Sequence, residues 1–151
     1  MCEIIVYQEN DRPVVAQHFR SPAVEIGQNW PKFAEEVAKQ GIFPSGWGIL
    51  EYFCGEDYNP DDVEYELLLP VIGEISPSEP LKAKTLEGGK VASAIHRGTY
   101  ENIAETYDAI FEWIAKQGLQ VAGNVREFHL RCPHTNDDPT ALITEIQIPV
   151  R

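Results

Sequence analysis

Positive charge is scarce in this chain of 151 residues. Lys and Arg number 12 against 24 Asp and Glu, a formal net charge of -12. Nucleic-acid binding draws on Lys and Arg to displace counterions from phosphates, and no basic cluster interrupts the acidic background, so direct nucleic-acid binding is excluded. Long apolar runs are missing too. Nothing approaches the ~20 residues of a membrane span, and the start, MCEIIVYQEND, has neither the basic region nor the long apolar region of a signal peptide. A cytoplasmic protein with no membrane partner is the expectation. The three cysteines, Cys2, Cys54 and Cys132, are odd in number and widely spaced, which suits reduced thiols rather than a disulfide framework. There is no G-x-S-x-G and no glycine-rich phosphate loop; Gly88-Gly89 reads as a turn between strands. RCPHTNDDP gathers Cys132, His134, Asp137 and Asp138, but their spacing matches no standard zinc pattern and the segment has turn composition. No metal and no cofactor are expected.

What is present is enough apolar material for a packed core, 43% hydrophobic residues with 10% aromatic, in one domain or two small fused modules. The chain also repeats itself. VVAQHFRSPAVEIGQNWPKFAEEVAKQGI (14 to 42) lies on VASAIHRGTYENIAETYDAIFEWIAKQGL (91 to 119) without a gap, and AKQG recurs identically at 38 to 41 and 115 to 118. With small loop changes, LEYF (50 to 53) falls on REFH (126 to 129) and YELLLPV (65 to 71) on TEIQIPV (144 to 150), pairing Glu51 with Glu127 and Glu66 with Glu145. Tyr100, Ile103, Ala104, Tyr107, Ile110, Phe111, Ile114 and Ala115 trace the stripe of an amphipathic helix, with Thr99 as its cap and Gly118 as its stop. The earlier copy carries the stripe in Trp30, Phe33, Ala34, Val37 and Ala38 up to Gly41, and Pro31 is expected to kink it or restart it at Asn29.

An extended segment precedes each helix region (IIVYQ then VVAQHF; LKAKTL then VASAIH) and two strands closing in Pro-Val follow it. The fold class expected is α+β, a duplicated β-α-β-β module with pseudo-twofold symmetry, helices on one sheet face and a ligand cleft on the other. The repeats are 1–71 and 81–151, and the turn-rich IGEISPSEP (72–80) is the linker.

WGILEYF (47 to 53) sets a glutamate among apolar residues. Read as a strand, Trp47, Ile49, Glu51 and Phe53 share one face and Leu50, Tyr52 and Cys54 the other, so Glu51 must be paired, lie at an edge, or line a cavity. Glu127 shares its face with Val125, His129 and Arg131, where the plain reading is a polar face or an ion pair to Arg126 or Arg131. Trp47, Phe53, Tyr58, Tyr65 and Tyr100 are candidate ligand-contacting rings, each of which could equally be packing; Trp113 reads as packing, and His18 and His96, at near-equivalent strand ends, as structural.

HRGTYENI, the helix ending WIAKQG, REFHL, NDDP and TEIQIPV, with PDDVEYELLLPV in the earlier copy, resemble GyrI-like domains, the small-molecule-binding fold also found at the C-terminus of multidrug-sensing transcription activators. The resemblance covers nearly the whole chain and implies a stand-alone member, since no DNA-binding segment precedes the repeat. It implies a central aromatic cleft with a buried glutamate in the strand after the second helix, Glu127 here, and an aromatic at Tyr100. Thr99 stands where the family commonly has proline, and His129 where E-x-Tyr would place tyrosine. The function implied is binding of amphipathic or cationic small molecules and xenobiotics, for toxin sequestration, at Glu127, Glu51, Trp47, Phe53, Tyr58, Tyr65, Tyr100 and His129. Two alternatives follow. Some GyrI-like proteins hydrolyse strained cyclopropane rings of alkylating natural products, which would make Glu127 activate water with Tyr100 or His129 assisting. The family name also suggests an acidic module that binds and restrains DNA gyrase.

Overall fold

The computed structural model describes residues 3–132 and 138–151. Among the described residues eight strands and two α-helices follow one another as β1 (Ile4–Glu9), β2 (Arg12–Ser21), α1 (Ile26–Lys39), β3 (Ile49–Tyr52), β4 (Val63–Pro70), β5 (Leu81–Leu86), β6 (Gly89–Arg97), α2 (Ile103–Lys116), β7 (Arg126–Arg131) and β8 (Ile143–Pro149). The fold is α+β with antiparallel strand pairing. Among the described residues no helix is long and apolar enough to cross a membrane.

Two compact units emerge, and their boundaries fall after Asn10 and after Glu87. One unit, residues 11–87, has the strand order β3-β4-β2-β5 with α1; the other, residues 88–151 joined by β1, has the order β7-β8-β6-β1 with α2. These compact units do not coincide with the two sequence repeats. β1 pairs with β6 (Ile4 opposite Ala94), and β5 pairs with β2 (Leu81 opposite Gln17), so each repeat gives its first strand to the other unit. The two strands occupy equivalent edges: Tyr7 faces Val91 as Lys84 faces Val14, with 91 − 14 = 77 and 84 − 7 = 77. Gly88-Gly89 is therefore no hairpin. A Cβ on Gly88 would lie 2.2 Å from the Glu9 carbonyl oxygen, and this close backbone approach is what glycine permits. Nor is 72–80 a linker between units. Its residues belong to the 11–87 unit, where Gln40 exchanges hydrogen bonds with the backbone of Ser78 at 3.0 and 2.8 Å and Ile75 packs on the core.

Within each unit one helix covers one sheet face, as the apolar stripes dictate. Phe33 and Val37 of α1 meet Val15, Leu50, Tyr65 and Leu67, while Ile110 and Ile114 of α2 meet Ala92, Ala94, Ile146 and Ile148. Val37 and Ile114 are equivalent core positions, and both helices stop at a glycine with positive φ, Gly41 and Gly118. Pro31 lies inside α1 without ending it, contrary to the expected restart at Asn29. Thr99 makes no side-chain cap bond either; a short 3-10 turn, Tyr100–Asn102, comes before α2 begins at Ile103.

Candidate functional site

The register of β3 and β7 decides what the two singled-out glutamates are. Glu51 lies opposite Glu66 on β4, but Glu127 lies opposite Ile146 on β8, and it is Phe128 that lies opposite Glu145. Since Glu66 and Glu145 are equivalents, Glu51 corresponds to Phe128 and Leu50 to Glu127. The repeat runs on without a gap into β7: Ser45 and Ala122 each donate a backbone hydrogen bond to the proline closing their unit's strand, Pro70 and Pro149, and a Cβ on Gly46 or Gly123 would press on the same ring. The pairing of Glu51 with Glu127 was one residue out of step. Because a strand alternates faces, that single step puts them on opposite faces of their own sheets.

Glu127 stands on the face that α2 covers, and it is 4% exposed. Tyr107, one turn into α2, donates its hydroxyl to Oε2, and His129 Nε2 lies 3.1 Å from Oε1. The ring of Tyr100 sits 6.0 Å from that of His129 at an interplanar angle of 34°. Burial, then the neighbouring charges of Cys132 and Glu127, push the Tyr100 phenol up to about 12. The structure thus brings Glu127, His129 and Tyr100 together in the 88–151 unit and adds Tyr107. In the sequence Tyr107 stands only as part of the apolar stripe, though a tyrosine in such a stripe needs a partner for its hydroxyl. Arg126, proposed as an ion-pair partner, projects from the other face, where its Nε lies 3.2 Å from Gln147 Oε1.

Glu51, in the 11–87 unit, answers its question differently. It is 8% exposed and paired: Lys84 Nζ lies 2.7 Å from Glu51 Oε1 and 2.7 Å from Glu66 Oε1. Glu66 also receives Lys82 at 2.5 Å and His18 at 3.2 Å on Oε2. Burial pulls Lys84 down, but its hydrogen bonds to the two glutamates and their charges outweigh that and hold it above the usual lysine range. Burial likewise raises Glu66, yet Lys82, Lys84 and His18 together hold it below the usual carboxylate range. Phe53 packs beneath Lys84, 5.1 Å from ring centroid to Nζ, and against the His18 ring at 5.7 Å. Of the three readings open to Glu51 in the sequence, pairing is the one the structure shows.

Of the other rings, Tyr65 belongs to the α1-covered core, fully buried, stacked on Phe19, with its hydroxyl bonded to Asn29 Nδ2 at 2.7 Å and Ser21 Oγ at 2.8 Å. Trp47 and Tyr58 are 59% and 52% exposed. Trp113 packs against the α2 core, and His96 ties β6 to the α2 region through Thr106 Oγ1 and the Thr99 carbonyl. Cys54 and Cys132 are free thiols, and among the described residues no group of His, Cys, Asp and Glu is arranged to hold a metal. Cys2, His134 and Asp137 lie outside the described residues.

A buried carboxylate held by a phenol and an imidazole, beside a second phenol, can pair with a cation in low dielectric, offer it ring faces, or take a proton from water. Comparison with known proteins shows the family and the fold. The family model described as the GyrI-like small molecule binding domain matches residues 3–151. No curated protein sequence matches the chain. The solved C-terminal domain of EcmrR is similar in fold at 18% identity and TM-score 0.93, covering 100% of this chain and 98% of that one. In the EcmrR–DNA complex the TM-score is 0.91 at 18% identity, with 99% of this chain covered but only 57% of that one. SAV2435 bound to tetraphenylphosphonium matches at TM-score 0.67 and 13% identity, over 99% of this chain and 94% of that one. A hydrolase from Listeria innocua matches at TM-score 0.72 and 11% identity, over 99% and 92%.

Proposed function

The chain belongs to the GyrI-like small molecule binding domain family, and we propose that it binds amphipathic or cationic small molecules, xenobiotics among them, through Glu127, so sequestering toxic compounds. The observation that carries this reading is the buried Glu127 carboxylate, oriented by Tyr107 and His129 and walled by Tyr100. A cation entering there exchanges hydration for a fixed charge in low dielectric and for aromatic faces, and its apolar substituents find the hydrophobic surroundings of α2. The neighbour SAV2435, seen with tetraphenylphosphonium, is a protein of this fold in contact with such a cation. Glu51 enters only as the charge partner of Lys84, and Tyr65 as a core residue; Trp47 and Tyr58 are exposed rings open to contact. Equilibrium dialysis of tetraphenylphosphonium against wild type and Glu127→Gln tests the reading. Saturable binding that weakens at least about tenfold in the variant supports it; binding that ignores the substitution overturns it.

Hydrolysis of an electrophilic, cyclopropane-bearing compound is the second reading, favoured by the carboxylate's position beside His129 and by a hydrolase of this fold from Listeria innocua. Here Glu127 takes a proton from water as its oxygen bonds to a ring carbon, the strained C–C bond breaks, and Tyr100 or His129 assists by giving a proton to the group that takes up the released electron pair. Multiple turnovers by wild type, with binding but no consumption by Glu127→Gln, would replace the first reading with this one.

A further inference from the structure

The 88–151 unit has a cleft of about 710 Å³ lined by Ile5 and Tyr7 of β1, Ile95 of β6 and Glu145 of β8, whose side chains lie on the sheet face opposite α2, and it extends past Glu3 and Arg97 to Glu105 and Thr106 at the start of α2. At its base Glu145 Oε2 accepts three hydrogen bonds, from the hydroxyls of Tyr7 and Ser93 (2.7 Å) and from Gln147 Nε2 (3.1 Å). Gln147 is itself fixed, since its Nε2 also reaches Tyr7 Oη and Glu9 Oε2, each at 2.8 Å. Oε2 is thereby locked, and among the described residues Oε1 accepts no hydrogen bond. All three donors are uncharged. They orient the carboxylate without neutralising it.

The duplicated unit shows what this carboxylate takes when a cation is supplied. Glu66 occupies the equivalent position, and the three residues around it are Lys82, Lys84 and His18. Their equivalents around Glu145 are Ile5, Tyr7 and Ile95. The ladder makes the correspondence explicit: Lys82 faces Ala16 as Ile5 faces Ser93, Lys84 faces Val14 as Tyr7 faces Val91, and His18 faces Glu66 as Ile95 faces Glu145. In one unit two ammonium groups sit 2.5 and 2.7 Å from the carboxylate oxygens. In the other, the same places hold two isoleucines, 50% and 36% exposed, and a tyrosine. The acid is retained, its internal cations are replaced by apolar surface, and a cleft opens over them.

We propose that this cleft is a second ligand site, for an organic ammonium carrying an apolar chain, with the ammonium on Glu145 where Lys84 sits on Glu66 and the chain over Ile5 and Ile95. Tyr7 is a positioning residue that holds the carboxylate. Its own phenol is raised by burial and by its bond to Glu145, so it remains a donor across the working pH range. Glu3 and Glu105, outnumbering Arg97, favour cations at the mouth. The site is separate from Glu127, which stands on the α2-covered face, and the two proposals succeed or fail independently.

Octylammonium is the probe, with 1-octanol as its uncharged analogue, titrated calorimetrically into the full chain. Because octylammonium is also a ligand the Glu127 site would take, the titration is made in the Glu127→Gln background: saturable binding should persist there, and adding Glu145→Gln should weaken it at least about tenfold. Ile5→Lys, at an exposed edge position where folding is not at stake, writes in the internal ammonium of the other unit and should also abolish binding. The proposal is overturned if octylammonium does not bind the Glu127→Gln chain, if adding Glu145→Gln leaves affinity unchanged, or if 1-octanol loses as much as octylammonium when Glu145→Gln is added. Should Glu145→Gln unfold, Ile5→Lys decides alone, since binding that survives it contradicts the proposed seat of the ammonium.

Discussion

Lys84→Met removes the ammonium that Glu51 and Glu66 share while nearly preserving the length of the side chain. In the folded protein Lys84 Nζ lies 2.7 Å from each carboxylate, and the two glutamates are 8% and 1% exposed and directly opposite one another in the ladder. Removing one partner of a buried ion pair costs about 3 to 5 kcal/mol, because the other charge stays buried and unpaired. Glu66 keeps Lys82 and His18, so part of the compensation survives and the expected loss is about 2 to 4 kcal/mol. Urea unfolding at pH 7, with an unchanged slope, measures it. Combining Lys84→Met with Glu51→Gln should recover about half of the loss, since the substitution removes one of the stranded charges. The pH dependence follows from the shifts. Lys84 is raised in the fold, so its contribution is complete below the unfolded lysine value and disappears as pH climbs through the folded one. Glu66 is lowered, so its contribution is complete above the unfolded carboxylate value and disappears as pH falls through the folded one. The stability gap between wild type and variant is therefore widest near neutrality and narrows at both ends. A loss under about 0.5 kcal/mol at pH 7 would refute the reasoning, and so would a gap that grows toward acid.

Gly88→Ala should cost about 2 to 4 kcal/mol in the same unfolding assay, because the new Cβ meets the Glu9 carbonyl, 2.2 Å away, rather than a flexible side chain. Tyr100, raised to about 12, should contribute stability that is complete below pH ~10 and is lost between there and about 12; ultraviolet titration of wild type against Tyr100→Phe should assign it a late tyrosinate step, and an ordinary step near pH 10 would contradict its burial. A gyrase partner held by the acidic surface should be captured in a pull-down at low salt and released as salt rises, and no capture at low salt removes that alternative.

Much of the fold is legible because it rests on periodicity. The stripe from Ile103 to Ala115 can only be a helix with one buried face, and the proline endings of β4 and β8 mark equivalent strands. Strand exchange is not legible, since IIVYQ and LKAKTL are equivalent edges and either could pair with β2 or β6 without breaking a local rule. Matching glutamate to glutamate slips β7 by one residue; Gly46 and Gly123, each pressed against its proline, fix the register but resemble ordinary loop glycines in the sequence. Glu127 and its neighbour His129 were visible because they lie two apart on one strand. Tyr107 and Lys84 were not, because each reaches its carboxylate from an element distant in sequence.

The central claim is that Glu127 selects ligands by charge, and it is tested most directly by a matched pair: an aryl trimethylammonium and its neutral tert-butyl isostere, titrated against wild type and Glu127→Gln. The substitution keeps the size of the side chain and removes its charge. The account predicts that affinity for the cation falls by about 1.5 to 3 kcal/mol, roughly tenfold to a hundredfold, while affinity for the isostere changes by less than about threefold. Equal weakening of both ligands would show that Glu127 acts by holding the fold around Tyr107 and His129, and an unchanged affinity for the cation would contradict its place in the site.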